Sequence, residues 1–128
     1  MNYTEQAKEV LKIAKTVARE LRHPYIGTEH LLVGLKKVYT GVAGQVLALN
    51  GVSEENIRKI IDELVSPGEG ATVTGSPQMS PRLTYILEES KEEALRRRSD
   101  EAGTEHMLLA ILRDVDCVAA RILLTLNV

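Results

Sequence analysis

A tetrapeptide that sets a carboxylate beside an imidazole occurs twice, as Gly27-Thr28-Glu29-His30 and as Gly103-Thr104-Glu105-His106. Glutamate next to histidine is raw material for general acid–base catalysis. Adjacent residues on a helix project about 100° apart, however, and do not face one another. Each His is therefore expected to pack beside a core and to hydrogen-bond locally. Cys117 is the single thiol. As a nucleophile it would need a base and an orienting partner, and only His106 lies near it in sequence. A small buried thiol is the expected reading. A zinc site needs three or four ligands at close spacing, which His23, His30, His106 and Cys117 do not supply. Neither G-x-x-x-x-G-K-S/T nor G-x-G-x-x-G occurs, so no nucleotide-binding loop is encoded here. We expect no catalytic residue, no metal and no cofactor.

Recognition chemistry suits these residues better. Glu29 and Glu105 are candidate cation receptors. Thr4 and Ser80 are candidate helix N-caps, where a hydroxyl and free backbone N–H groups can hold an anion. A ligand that joins a guanidinium to a phosphate would satisfy both halves. The helix dipole alone also favours a glutamate in a first turn, so a purely structural role stays open beside the functional one.

The elements that position these residues come in two copies. An offset of 76 residues brings one tetrapeptide onto the other. The same offset places Thr4 on Ser80, Lys15 on Lys91, Ala18 on Ala94, Arg22 on Arg98, Leu32 on Leu108, Leu47 on Leu123 and Val52 on Val128. In copy one, Ala7, Val10, Leu11, Ala14, Val17, Ala18 and Leu21 recur at helical spacing behind Thr4, and His23-Pro24 is expected to break the helix. Thr28 reads as the cap of a second helix with Glu29 as its first residue, followed by Leu31, Leu32 and Leu35. Gly41 opens a third helix with Val42, Val46, Leu47 and Leu49, stopped by Asn50-Gly51. Ser53 caps a fourth with Ile57, Ile60, Ile61 and Leu64. Copy two repeats the plan: Ser80-Pro81, then Leu83, Ile86, Leu87, Ala94 and Leu95; Thr104, then Met107, Leu108 and Ile111; and a third helix from about Cys117 through Leu123. The predicted fold is all-α, with two tandem pseudo-symmetric four-helix repeats in one domain over 1–128. Repeat one covers 1–65, a Gly/Ser/Thr/Pro-rich flexible linker covers 66–78, and repeat two covers 79–128 with its last helix truncated. Each glutamate is expected to face the cap of its own copy, Glu29 with Thr4 and Glu105 with Ser80.

Composition agrees. Hydrophobic residues make up 44% and charged residues 27% of the 128, as in globular chains. There is no Trp or Phe and there are four Tyr, so the core must be aliphatic, which suits packed helices. The net charge of −2 implies neither a nucleic-acid nor a membrane partner. Arg96-Arg97-Arg98 reads as a solvated face pairing with Glu92, Glu93 or Asp100. A lone cysteine and the lack of any long apolar stretch point to the cytoplasm.

Tyr3-Thr4-Glu5-Gln6-Ala7, Ile26 through Leu35, Val46 through Val52 and Met79-Ser80-Pro81-Arg82 together resemble the Clp N-terminal domain, most nearly that of the ClpC branch of AAA+ unfoldases. The resemblance covers nearly the whole chain. It implies a non-catalytic domain that recruits substrates and MecA-like adaptors to a hexameric ATP-driven unfoldase working with a ClpP-type protease. It further implies binding of phosphoarginine-tagged proteins, with Glu29 and Glu105 gripping the guanidinium and Thr4 and Ser80 the phosphate. The alternative is docking of the ClpA or ClpB kind, with adaptors or unfolded apolar segments bound without phosphoarginine. Copy two departs from the pattern at Ser99-Asp100-Glu101-Ala102, where copy one has His23-Pro24-Tyr25-Ile26. Extra acid beside Glu105 makes the Glu29 pocket the expected better one.

Overall fold

The computed structural model describes residues 1–64 and 76–128. In chain order the elements are β1 (Asn2–Tyr3), α1 (Glu5–Glu20), β2 (Tyr25–Ile26), α2 (Thr28–Lys37), α3 (Val42–Leu49), α4 (Glu54–Leu64), β3 (Gln78–Met79), α5 (Pro81–Arg96), β4 (Glu101–Ala102), α6 (Thr104–Arg113) and α7 (Val118–Thr125). The helical plan is the predicted one, four helices and then three among the described residues. Most of the predicted linker, 66–75, lies outside them. Its last residue, Gln78, is a strand residue paired with Tyr25.

The four two-residue strands were not predicted, and they decide the geometry. β1 pairs with β4 in parallel, Asn2 with Glu101 and Tyr3 with Ala102. β2 pairs with β3 in parallel, Tyr25 with Gln78 and Ile26 with Met79. Each ladder runs on into the cap of the next helix: Thr4 N–H donates to the Ala102 carbonyl and Ser80 N–H to the Ile26 carbonyl, both at 2.9 Å. Each ladder thus joins one repeat to the other.

Helix α1 buries Ala7, Val10, Ala14, Val17 and Ala18 on one face, while Leu11 and Leu21 of the predicted stripe are only half-buried. α2 is buried all round from Thr28 to Leu35 because it packs on α1, α3, α4 and α7 at once. Residues of both repeats share one aliphatic core. The third and fourth helices present less of their apolar stripe to it than expected. Val42, Val46, Leu49 and Leu64 are exposed, because short helices at the edge of the core reach it along only part of one face; Leu95, at the end of α5, is exposed as well.

α1 ends differently from the prediction. It stops at Glu20, before His23-Pro24, and Leu21 caps it. Arg22 takes a left-handed conformation, φ 57°, and His23 N–H reaches back to the Ala18 carbonyl at 2.9 Å. This is a Schellman closure. Arg98, φ 56°, repeats it after α5, with Ser99 N–H on the Ala94 carbonyl. Since copy two has no proline there, the closure and not Pro24 ends the helix.

Candidate functional site

The tetrapeptide assigns one task to each residue. Gly27 and Gly103, not the threonines, are the N-caps of α2 and α6. The glutamates therefore stand at the second helical position and not the first. Their carboxylates fold back over the glycines: a Cβ on Gly27 would lie 1.8 Å from Glu29 Oε1, and one on Gly103 1.9 Å from Glu105 Oε1. Any side chain at either glycine would displace the carboxylate.

The predicted capping by Thr28 and Thr104 is corrected by the structure. Thr28 Oγ1 accepts from Ala119 N–H at 3.1 Å and Thr104 Oγ1 from Ala43 N–H at 3.2 Å. Each hydroxyl thus caps the third helix of the opposite repeat, because it points out of its own helix start into the seam between the copies. The cap of its own helix comes from the histidine instead. His30 Nδ1 accepts from Gly27 N–H and His106 Nδ1 from Gly103 N–H, both at 2.8 Å.

An acceptor Nδ1 places the His30 proton on Nε2, where it faces His23 Nδ1 at 2.7 Å. Burial, the neighbouring His23 and then Arg58 lower the His30 pKa to about 4. Both tetrapeptide histidines are buried, in the local structural role expected of them. Cys117 is a buried thiol as expected, its pKa raised chiefly by burial, and its Sγ caps α7 by accepting from Ala120 N–H at 3.4 Å.

The four predicted site residues do converge, but in crossed pairs. Glu29 shares a pocket of about 480 Å³ with Ser80, and Glu105 shares one of about 440 Å³ with Thr4. The same-copy pairing, Glu29 with Thr4 and Glu105 with Ser80, is overturned. The reason lies in the strand ladders, which hold the start of α5 against the start of α2 and the start of α1 against that of α6. Ser80 Oγ accepts from Leu83 N–H and Thr4 Oγ1 from Ala7 N–H, each at 3.1 Å. Each hydroxyl keeps its own O–H free to donate. A carboxylate and a hydroxyl donor thus face one space in each pocket.

The pockets differ in their other walls. His23, Pro24, Tyr25 and Asp116 line the first; Arg97, Ser99, Asp100 and Glu101 line the second. Glu29 is only 6% exposed, and burial raises its carboxyl pKa, partly offset by its own backbone N–H. The Glu105 side chain keeps 39% of its exposure. Each pocket also has an arginine tied to a carboxylate outside the predicted set. Arg82 pairs with Asp114 at 2.8 Å. Arg97, like Arg96 and Arg113, bonds Glu93. Glu93 is fully buried where copy one has Val17. Sequence reasoning named neither Arg82 nor Arg97 as a wall residue. Arg82 was named only within the Met79–Arg82 stretch and Arg97 only as a surface residue expected to pair with Glu92, Glu93 or Asp100; a further signal was the loss of the duplication at their counterparts Gln6 and Leu21.

Known proteins share this family's sequence or this fold. A family model described as the Clp repeat (R) N-terminal domain matches residues 2–126. The probable ATP-dependent Clp protease ATP-binding subunit of Chlamydia pneumoniae is 39% identical over 126 residues, which cover 98% of this chain and 15% of the relative. The Bacillus subtilis (strain 168) protein named negative regulator of genetic competence ClpC/MecB is 37% identical over 126 residues, with the same coverage. The chain thus spans about 15% of the length of these relatives. Among solved structures, the ClpV N-domain in complex with a VipB peptide has a TM-score of 0.79 at 23% identity, covering 98% of this chain and 78% of that one. The Hsp104 N-terminal domain from Candida albicans has a TM-score of 0.80 at 14% identity, covering 99% and 83%. These two show the fold. With the duplicated helices, the tetrapeptides in register and the family match over almost every residue, the chain belongs to the Clp repeat (R) N-terminal domain family.

Proposed function

We propose that this chain is a non-catalytic docking domain. It recruits protein substrates and MecA-like adaptors to a cytoplasmic, hexameric ATP-driven unfoldase of the ClpC type that works with a ClpP-type protease, and its two crossed pockets bind phosphoarginine. The observation that carries the ligand assignment is the facing of Glu29 and Ser80, and of Glu105 and Thr4, across one space each. A carboxylate matches a guanidinium. A helix N-terminus with a free hydroxyl donor matches a phosphate. The 37% identity to the Bacillus subtilis ClpC/MecB protein supports the parent class.

Titration calorimetry of the chain with a phosphoarginine peptide tests the reading. Saturable binding is expected for the wild type and its loss in the Glu29→Ala, Glu105→Ala double variant, with unmodified arginine peptide bound by neither. Equal binding by wild type and double variant would overturn the pocket assignment. Tight binding of unmodified unfolded chains with indifference to phosphoarginine would support ClpA- or ClpB-type docking in its place.

A further inference from the structure

The duplication fails where the two pockets meet solvent, and the failure changes chemistry. Pro24 and Tyr25 occupy the positions at which copy two has Asp100 and Glu101. All four are exposed, Tyr25 at 59%. Tyr25 and Glu101 hold equivalent places, each the first residue of a strand whose ladder brings in the opposite repeat. A peptide whose modified side chain enters either pocket must lay its neighbouring residues along this wall. At the Glu29 pocket the wall is a proline and an aromatic ring, with Asp116 the remaining acid beside the start of α7. At the Glu105 pocket it is a pair of carboxylates. Arg97 lines the same pocket and shares the buried Glu93 with Arg96 and Arg113, but it is one guanidinium against the three carboxylates of Asp100, Glu101 and Glu105.

Resting on the phosphoarginine reading, we propose that the two pockets select different sequence contexts: Pro24 and Tyr25 make the Glu29 pocket prefer a tagged arginine flanked by apolar residues, and Asp100 and Glu101 make the Glu105 pocket prefer one flanked by lysine or arginine. An aromatic face covers apolar side chains and contributes through area removed from water. Exposed carboxylates attract cations by a screened, salt-dependent interaction. The domain therefore samples two classes of tagged segment, and a substrate carrying both engages it bivalently.

The test uses the chain with one pocket disabled at a time and two labelled phosphoarginine peptides, one flanked by leucines and one by lysines, read by fluorescence anisotropy. With Glu105→Ala, leaving the Glu29 pocket, the leucine peptide is expected to bind about 3- to 10-fold more tightly than the lysine peptide, a preference insensitive to salt. With Glu29→Ala the order reverses by a similar factor, and the reversal fades as salt rises. Adding Asp100→Ser and Glu101→Gln to the Glu29→Ala chain, with folding checked by circular dichroism, abolishes the lysine preference. Equal affinity for both peptides in both single-pocket chains would overturn this inference and leave the phosphoarginine pockets standing. Failure of both peptides to bind the wild type would overturn the pockets themselves, and the inference with them.

Discussion

At the scale of single residues, the Gly-Thr-Glu-His tetrapeptide is a compact division of labour, and its costs are measurable. The Glu29 carboxyl is buried and its pKa raised. The folded state therefore holds that proton more tightly than the unfolded chain does. Stability from this group is fully present below the ordinary carboxylate value and is lost as pH rises through the raised one. At neutral pH the free domain carries a desolvated charge, the one that the proposed function pairs with a guanidinium. Glu29→Gln is accordingly expected to stabilise the free domain by roughly 1 kcal/mol, as at other sites where function opposes stability, while abolishing phosphoarginine binding at that pocket. Urea unfolding and calorimetry on the same sample check both halves. A destabilised variant would contradict the account.

His30 acts with the opposite sign. Its pKa of about 4 lies below the unfolded value of 6.5, so its contribution is complete above pH 6.5 and is lost as pH falls toward 4. His23, also lowered by burial, acts in the same window. In a Glu29→Gln background, which removes the competing titration, stability is expected to fall by on the order of 2 kcal/mol between pH 7 and pH 5. His30→Asn, whose side-chain oxygen can still accept from Gly27 N–H, is expected to flatten most of that slope. Chemical denaturation at the two pH values reads the difference.

At the scale of elements, the third helix of each repeat takes an N-terminal cap from the other repeat. Thr28→Val would strand the buried Ala119 N–H, and Thr104→Val the Ala43 N–H. Each change is expected to cost about 1–3 kcal/mol. Amide exchange distinguishes this from capping within one copy: Thr28→Val should speed exchange at the start of α7 and leave the Gly27 amide, held by His30, protected. Faster exchange at the start of α2 alone would restore the sequence-based assignment. That assignment was reasonable, since threonine ahead of a Glu-His-Leu-Leu run reads as an N-cap. The true partner lies 91 residues away, and no local pattern reports on such a distance. The Schellman ends at Arg22 and Arg98 were equally hidden, because the expected signal for a left-handed stop is glycine or asparagine.

At the scale of the whole molecule, the duplication made the helices, their order and the four converging residues readable before any coordinates. Glu29, Glu105, Thr4 and Ser80 all line pockets, Glu29 with Ser80 and Glu105 with Thr4. Which glutamate meets which hydroxyl was not readable. An offset match between copies is identical whether each copy closes on itself or the two exchange partners. The features that decide it, parallel ladders of two residues, are too short to carry an alternating pattern. The exchange has a consequence for the assembly: with β1 on β4 and β2 on β3, neither repeat holds a complete pocket, and both repeats share one core.

The most direct test of this account is therefore which hydroxyl serves which pocket. In a Glu105→Ala chain, where the Glu29 pocket alone remains, the affinity for a phosphoarginine peptide should fall about 10-fold on Ser80→Ala, the size of one charge-assisted hydrogen bond. Thr4→Ala should leave it unchanged. A loss on Thr4→Ala with Ser80→Ala silent would contradict the crossed pockets and return each site to a single repeat.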